Sequence, residues 1–128
     1  GMPMDDKNVS QLAKEFPDQF RKEGTPCLSD CRDGWVPLVR EVMQKVKDHG
    51  VKLKWHQIKE KFGTLRMYEG LETNSPSSNI YDWISKAERE SGKTCEVCGK
   101  PGKTVNMGWL FTLCLEHKKE RKKEKEMH

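Results

Sequence analysis

Cys95-Glu-Val-Cys98-Gly99, and then Cys114-Leu-Glu-His117 after a fifteen-residue spacer, is the stretch whose reading decides the C-terminal fold. Two ligand-type residues two apart on a tight turn reach a single tetrahedral ion, and zinc accepts thiolate and imidazole equally well. Two such pairs fill four positions and leave none for water, so the expected group is one structural Zn²⁺ held by Cys95, Cys98, Cys114 and His117. The spacer agrees. Gly99, Pro101 and Gly102 supply the sharp turns of a chain wrapping a metal. Thr104–Val105 and Trp109–Thr112 read as hairpin arms around Asn106-Met107-Gly108. Cys114 and His117, three apart, then open a terminal helix on one face, where the helix dipole favours a thiolate.

A knuckle, a hairpin and a helix whose first turn carries the last two ligands resemble a treble-clef zinc finger, over Cys95 to about Lys123. The resemblance implies a fold and four ligands and little about activity. A looser likeness covers more of the chain. Asp33-Gly34-Trp35 before a helix, Gln57-Ile-Lys-Glu-Lys-Phe-Gly-Thr-Leu-Arg66, and the Cys95 module together look similar to small uncharacterised bacterial and phage proteins. That likeness implies a bacterial or phage setting and carries no assigned function.

Upstream, Leu12, Phe16 and Phe20 lie on one helical stripe that Pro17 interrupts, and Gly24–Gly34 reads as loop, with Asp33 or Gly34 placed to cap the next helix. Trp35, Leu38, Val39, Val42, Val46 and His49 recur at helical spacing, and Gly50 supplies a stop. From Val51 the period becomes two. Val51, Leu53 and Trp55 alternate with Lys52, Lys54 and His56, and after a turn at Phe62-Gly63 a second strand, Thr64–Tyr68, returns. Ser77, Ser78 or Asn79 is placed to cap a helix with Ile80, Trp83, Ile84 and Ala87 on one face, ended by Gly92.

The expected fold class is therefore α+β: N-terminal helices, a small antiparallel sheet with a packed helix, and a C-terminal treble-clef zinc module. The expected division is residues 1–92 for the body and 93–128 for the module with a solvent-exposed terminal helix. Trp35, Val39, Val42, Val46, Leu53, Trp55, Leu65, Ile80, Trp83 and Ile84 are the expected core, with Trp109, Leu110 and Phe111 joining the module to it or covering the metal. The Lys/Glu-rich tail has like charges four apart, Glu120 with Glu124 and Lys119 with Lys123, and should fray into solvent.

At 128 residues, with 34% hydrophobic and 34% charged residues, the chain has a small core that a metal cross-link would help. Gly1 before Met2 reads as a scar of tag cleavage. No apolar run is long enough to span a bilayer and no signal-peptide stretch is present, so the expected location is the cytoplasm, with no membrane partner. Five cysteines in that reducing setting favour metal over disulfides. Cys27 and Cys31 read as two loop thiols, since a second metal would have to recruit His49 or His56.

The formal charge of +4 falls to about +3 with three thiolates on one Zn²⁺, which is mildly basic and decides nothing about partners. The spacer holds no His or Asp for a His-Asn-His nuclease, and His56-Gln57-Ile58 lacks the deaminase glutamate. No phosphate loop, dinucleotide fingerprint or nucleophile elbow occurs, and no small-molecule substrate is identifiable. The first functional expectation is a non-enzymatic nucleic-acid-binding module. Lys52, Lys54 and His56, with Arg66 and Tyr68 if these share their side, would hold phosphates and stack a base of DNA or RNA. The alternative is a protein-interaction or phage accessory protein with purely structural zinc, and the remote one an enzyme with an unrecognised site.

Overall fold

The computed structural model describes residues 3–70 and 79–126; Ser77 and Ser78, two of the expected cap residues, lie outside them. The fold among the described residues is an α+β arrangement of four α-helices and two antiparallel two-stranded sheets. Among the described residues no helix is long and apolar enough to cross a membrane.

Helix α1 (Asp6–Glu15) starts at Asp5, whose carboxylate accepts the Lys7 amide at 2.8 Å, and stops before Pro17, which opens a short 3₁₀ turn. Phe16 and Phe20 are buried on either side of that turn. Helix α2 (Val36–Asp48) buries Val36, Val39, Val42, Met43 and Val46 on one face. It ends in a Schellman arrangement, with Gly50 at φ +65° and the Val51 amide donating to the Val46 carbonyl at 3.0 Å. Neither Asp33 nor Gly34 caps α2. They belong to a 3₁₀ turn, Asp33–Trp35, and the Asp33 carboxylate accepts the Asp5 amide and the Asn8 side-chain amide instead, tying α1 to that turn.

Strands β1 (Trp55–Lys61) and β2 (Thr64–Glu69) form the first hairpin. Its inner face carries Trp55, Ile58, Leu65 and Met67, all buried. Both edges are covered. The Glu60 amide donates to the Asp30 carbonyl at 3.1 Å on one side, and the Leu65 amide to the Ser91 hydroxyl at 2.8 Å on the other. Helix α3 (Asn79–Ser91) packs on α2 and β2 and buries Ile80 and Ala87. Trp83 and Ile84, expected in the core, are only partly buried at its margin, where the Trp83 ring lies 4.8 Å from that of His49. The buried Gln19 side chain is paired: it donates to the Met43 carbonyl and accepts the Trp55 indole N–H.

Strands β3 (Lys103–Asn106) and β4 (Leu110–Leu113) make the second hairpin, and α4 (Leu115–Glu126) follows. Trp109 falls in its turn and is 66% exposed, so it neither joins the module to the body nor covers the metal residues. Leu110 and Phe111 are half-buried. Helix α4 buries no residue, as its composition demands, yet it is not loose. The Arg121 guanidinium lies 4.7 Å from the Phe111 ring centroid, and the Lys125 ammonium donates to the Met107 carbonyl at 2.9 Å. These two cations return the helix to the second hairpin.

Candidate metal centre

The knuckle is shaped by its own backbone. The Cys95 amide donates to the Lys100 carbonyl at 2.7 Å and the Gly99 amide to the Cys95 carbonyl at 2.9 Å, so the loop closes with both thiols on one side. Cys114 sits just ahead of α4, where the His117 amide points at its sulfur at 3.5 Å and the Lys118 amide takes its carbonyl at 2.9 Å. That cap turns the first helical turn so that His117 presents Nδ1 to the same point. The four ligand atoms all lie within 4.8 Å of one another.

Two of the edges among these atoms are close to those a tetrahedral metal ion would set, and the Cys114–His117 edge is shorter. Bond lengths of about 2.3 Å to sulfur and about 2.0–2.1 Å to nitrogen imply S···S edges of about 3.8 Å and S···N edges of about 3.5 Å. Cys98 Sγ to Cys114 Sγ is 3.8 Å, Cys95 Sγ to His117 Nδ1 is 3.6 Å, and Cys114 Sγ to His117 Nδ1 is 3.1 Å. Burial raises the Cys95 thiol, but the amides of Cys114, Cys98 and Val97 outweigh it and bring the group below its ordinary range. Cys98 is pushed up, by burial first and by the neighbouring Cys95 and Cys114 thiols as well. Three sulfurs this close ionise together only around a cation. The residues therefore fit a four-coordinate metal, and among the described residues they are the one such group of His, Cys, Asp and Glu.

What seats the centre on the body is a set of contacts that residue types alone do not announce. A Cβ on Gly34 would lie 2.1 Å from the Cys95 carbonyl oxygen, so only glycine lets the Asp33–Trp35 turn rest on the knuckle. The Gly34 amide donates to the Glu96 carbonyl at 2.8 Å, and the Trp35 indole N–H to the Thr94 carbonyl at 2.9 Å. Glu96 is buried between the two hairpins. Its carboxylate accepts the Thr112 amide at 3.0 Å and faces Arg32 at 3.6 Å, while burial pushes its carboxyl up. The Thr112 hydroxyl donates to the Gly63 carbonyl, and a Cβ on Gly63 would stand 3.0 Å from the Thr104 methyl. The two sequence stretches around Gly34 and Gly63 are thus the two seats of the metal module. These bonds cross the expected boundary near residue 93.

The residues expected to form one basic face are distributed differently. Strand β1 begins at Trp55, so Lys52 and Lys54 precede the hairpin and do not stand opposite Arg66 or Tyr68. The Lys54 ammonium is held by the carbonyls of Asp18 and Phe20, and both lysines border a cleft of about 670 Å³ that also carries Glu15 and Asp18. His56 is the extra residue of a β-bulge, leaving His56 and Gln57 together opposite Tyr68. Arg66 pairs across the strands with Lys59 and meets Glu88 at 3.3 Å. The alternation in the sequence was real, but a one-residue bulge changes which side chains share a face, and no residue type marks it.

Cys27 lines a cleft with Trp55, His56 and Gln57, and neither it nor Cys31 belongs to a metal-ligating cluster among the described residues. Burial pushes Cys27 up to about 11 and Cys31 up to about 12, so both are neutral, unreactive thiols at physiological pH. Comparison of the chain with protein-family models, with curated proteins and with solved structures finds no match.

Proposed function

We propose that this protein is a zinc-stabilised, non-enzymatic nucleic-acid-binding module. Three thiolates and an imidazole are the donor set of a structural Zn²⁺, and a closed set of four leaves no position for a substrate or an activated water. The order knuckle, hairpin, helix supports the treble-clef reading. Zinc in this place clamps the knuckle to α4 and so holds the second hairpin against the first.

The observation that carries the nucleic-acid reading is the outer face of the first hairpin. By register its outward positions are Gln57, Lys59, Lys61, Thr64, Arg66 and Tyr68. Three are cationic and none is acidic, while Glu60 turns inward and accepts the Gly63 amide at 2.7 Å. With both strand edges covered, this face is what the hairpin offers a partner, and it suits a phosphate backbone.

Two measurements test the proposal. Metal analysis of purified protein should give one zinc per chain, reduced to well below one in Cys95→Ser; full metal content in that variant would end the zinc assignment. Anisotropy of labelled DNA and RNA should report binding that weakens steeply with salt and weakens further in a Lys59→Ala/Lys61→Ala variant. Absence of binding at low salt would reject nucleic acid as the partner and favour a protein.

A further inference from the structure

The two hairpins meet at their turns, and each turn holds an aromatic ring out in solvent. Phe62 is 65% exposed and Trp109 66% exposed. Gly63 packs on Leu110, with the position of a Gly63 Cβ lying 3.5 Å from that of Leu110. Each ring is borne one residue from this contact, so with Cα atoms about 3.8 Å apart along the chain the two Cα positions are within roughly 14 Å. The Thr112–Gly63 hydrogen bond ties the two hairpins together at this contact.

Phe62 is a backbone anomaly as well as an exposed ring. It takes φ +56°, followed by Gly63 at +81°, which is the arrangement of a two-residue I′ turn. Asn-Gly is the favoured pair for such a turn, and a bulky residue at positive φ is an outlier. Stability therefore accounts for Gly63 and leaves Phe62 largely unaccounted for: the ring stays mostly exposed while its backbone is strained. Such outliers gather at sites of function. The Lys61 ammonium lies 5.5 Å from the Phe62 ring centroid, at the end of the cationic row Lys59, Lys61 and Arg66.

We propose that Phe62 and Trp109 are stacking platforms for the unpaired bases of a single-stranded nucleic acid, whose phosphates run along Lys59, Lys61 and Arg66. This deepens the nucleic-acid reading above and rests on it. Bases stack on exposed aromatic faces irrespective of sequence, and adjacent cations hold the backbone. A duplex hides those base faces, so the surface selects single strands. The outer face, cationic at Lys59 and Lys61 with Arg66 paired to Glu88 at its margin, is what favours this occupant over a protein.

The test uses the full zinc-loaded chain with fluorescein-labelled fifteen-nucleotide oligo(dT) and oligo(U), and a labelled blunt duplex of the same length. Three proteins are compared: wild type, Phe62→Asn/Trp109→Ala, and Lys59→Ala/Lys61→Ala. Asn suits the positive φ of the turn, and Trp109 is exposed, so the aromatic variant keeps its fold, checked by its zinc content and melting curve. The expected result is binding of single strands over duplex, weakened at least tenfold in the aromatic variant with an unchanged salt slope. The lysine variant should instead lower the salt slope by about 1.4, two phosphate contacts at about 0.7 each. Quenching of tryptophan emission by oligo(dT) should disappear in the Phe62→Asn/Trp109→Ala variant. If the lysine variant weakens binding and the aromatic variant does not, stacking is refuted while the nucleic-acid reading stands. Equal or tighter binding of the duplex likewise refutes it, and no binding of any probe at low salt refutes both.

Discussion

Replacing Gly34 by alanine adds one methyl group 61 positions before Cys95 in the sequence and should still unseat the knuckle. The added Cβ would meet the Cys95 oxygen at 2.1 Å, the Glu96 carbonyl carbon at 2.5 Å and the Glu96 oxygen at 2.6 Å. All three are backbone atoms of a loop closed by its own hydrogen bonds, so the loop or the Asp33–Trp35 turn must move by about 1 Å or more to reach van der Waals contact. That movement stretches the Gly34–Glu96 bond of 2.8 Å and the Trp35–Thr94 bond of 2.9 Å. Two hydrogen bonds at about 1 kcal/mol each and overpacking at about 1–3 kcal/mol give a loss of about 3–5 kcal/mol. For a chain of this size that is a drop in Tm of roughly 10–20 °C. Gly50→Ala is the control: its φ is +65° but nothing lies within 4 Å, so only the backbone strain of about 1 kcal/mol applies. The assay is thermal unfolding of zinc-loaded proteins followed by circular dichroism, with metal content measured on the same samples. A Gly34→Ala variant melting within 2 °C of wild type would refute the claim that the module rests on this glycine.

Thr112→Val keeps the shape of a fully buried side chain but leaves the Gly63 carbonyl without its donor, and should destabilise the protein by about 1–3 kcal/mol. Denaturant unfolding measures this; a midpoint equal to wild type would show that the seam between the hairpins does not depend on the hydroxyl. Cys27 and Cys31 should alkylate slowly in the zinc-loaded protein. With thiols at about 11 and about 12, the reactive thiolate is roughly a thousandth or less of each at pH 8 and rises tenfold per pH unit toward those values. Mass mapping of iodoacetamide labelling against pH checks this, and fast labelling of Cys31 at pH 8 would contradict its burial. Metal removal with a chelator should abolish the cooperative melt of the second hairpin and α4 and lower the stability of the body, since the seats at Gly34 and Gly63 lose their counterpart. A body melting unchanged after chelation would mean that the two parts are energetically independent.

Much of this molecule is legible in local pattern. The metal ligands are a matter of residue type and spacing within 23 residues, Cys95 to His117, and the fold brings those four atoms together. Helix α2 and its stop follow from apolar periodicity and one glycine, and the hairpin turn at Phe62-Gly63 from a two-residue break between apolar runs. These are short-range effects, set by backbone sterics and by which face of an element is apolar. Other features depend on contacts between distant segments. The bulge at His56 reassigns the outer face to Lys59 and Lys61. Trp109 is left in solvent beside the contact between the hairpins, and Trp83 stays at the margin because α3 docks through Ile80 and Ala87. Arg121 and Lys125 hold a helix that its charges alone would leave to fray.

Asp33-Gly34-Trp35 shows where the division falls. Local composition marks the end of a loop before α2 there, since glycine and aspartate favour such backbone. Packing between distant segments makes the glycine necessary, because the backbone of Cys95 and Glu96 occupies the space a Cβ would take, and gives the tryptophan N–H its partner in the Thr94 carbonyl. Ligand spacing can be read along the chain because one tetrahedral ion limits how far apart its donors may lie. The seat of that ion is close packing between segments about 60 residues apart, which no local pattern encodes.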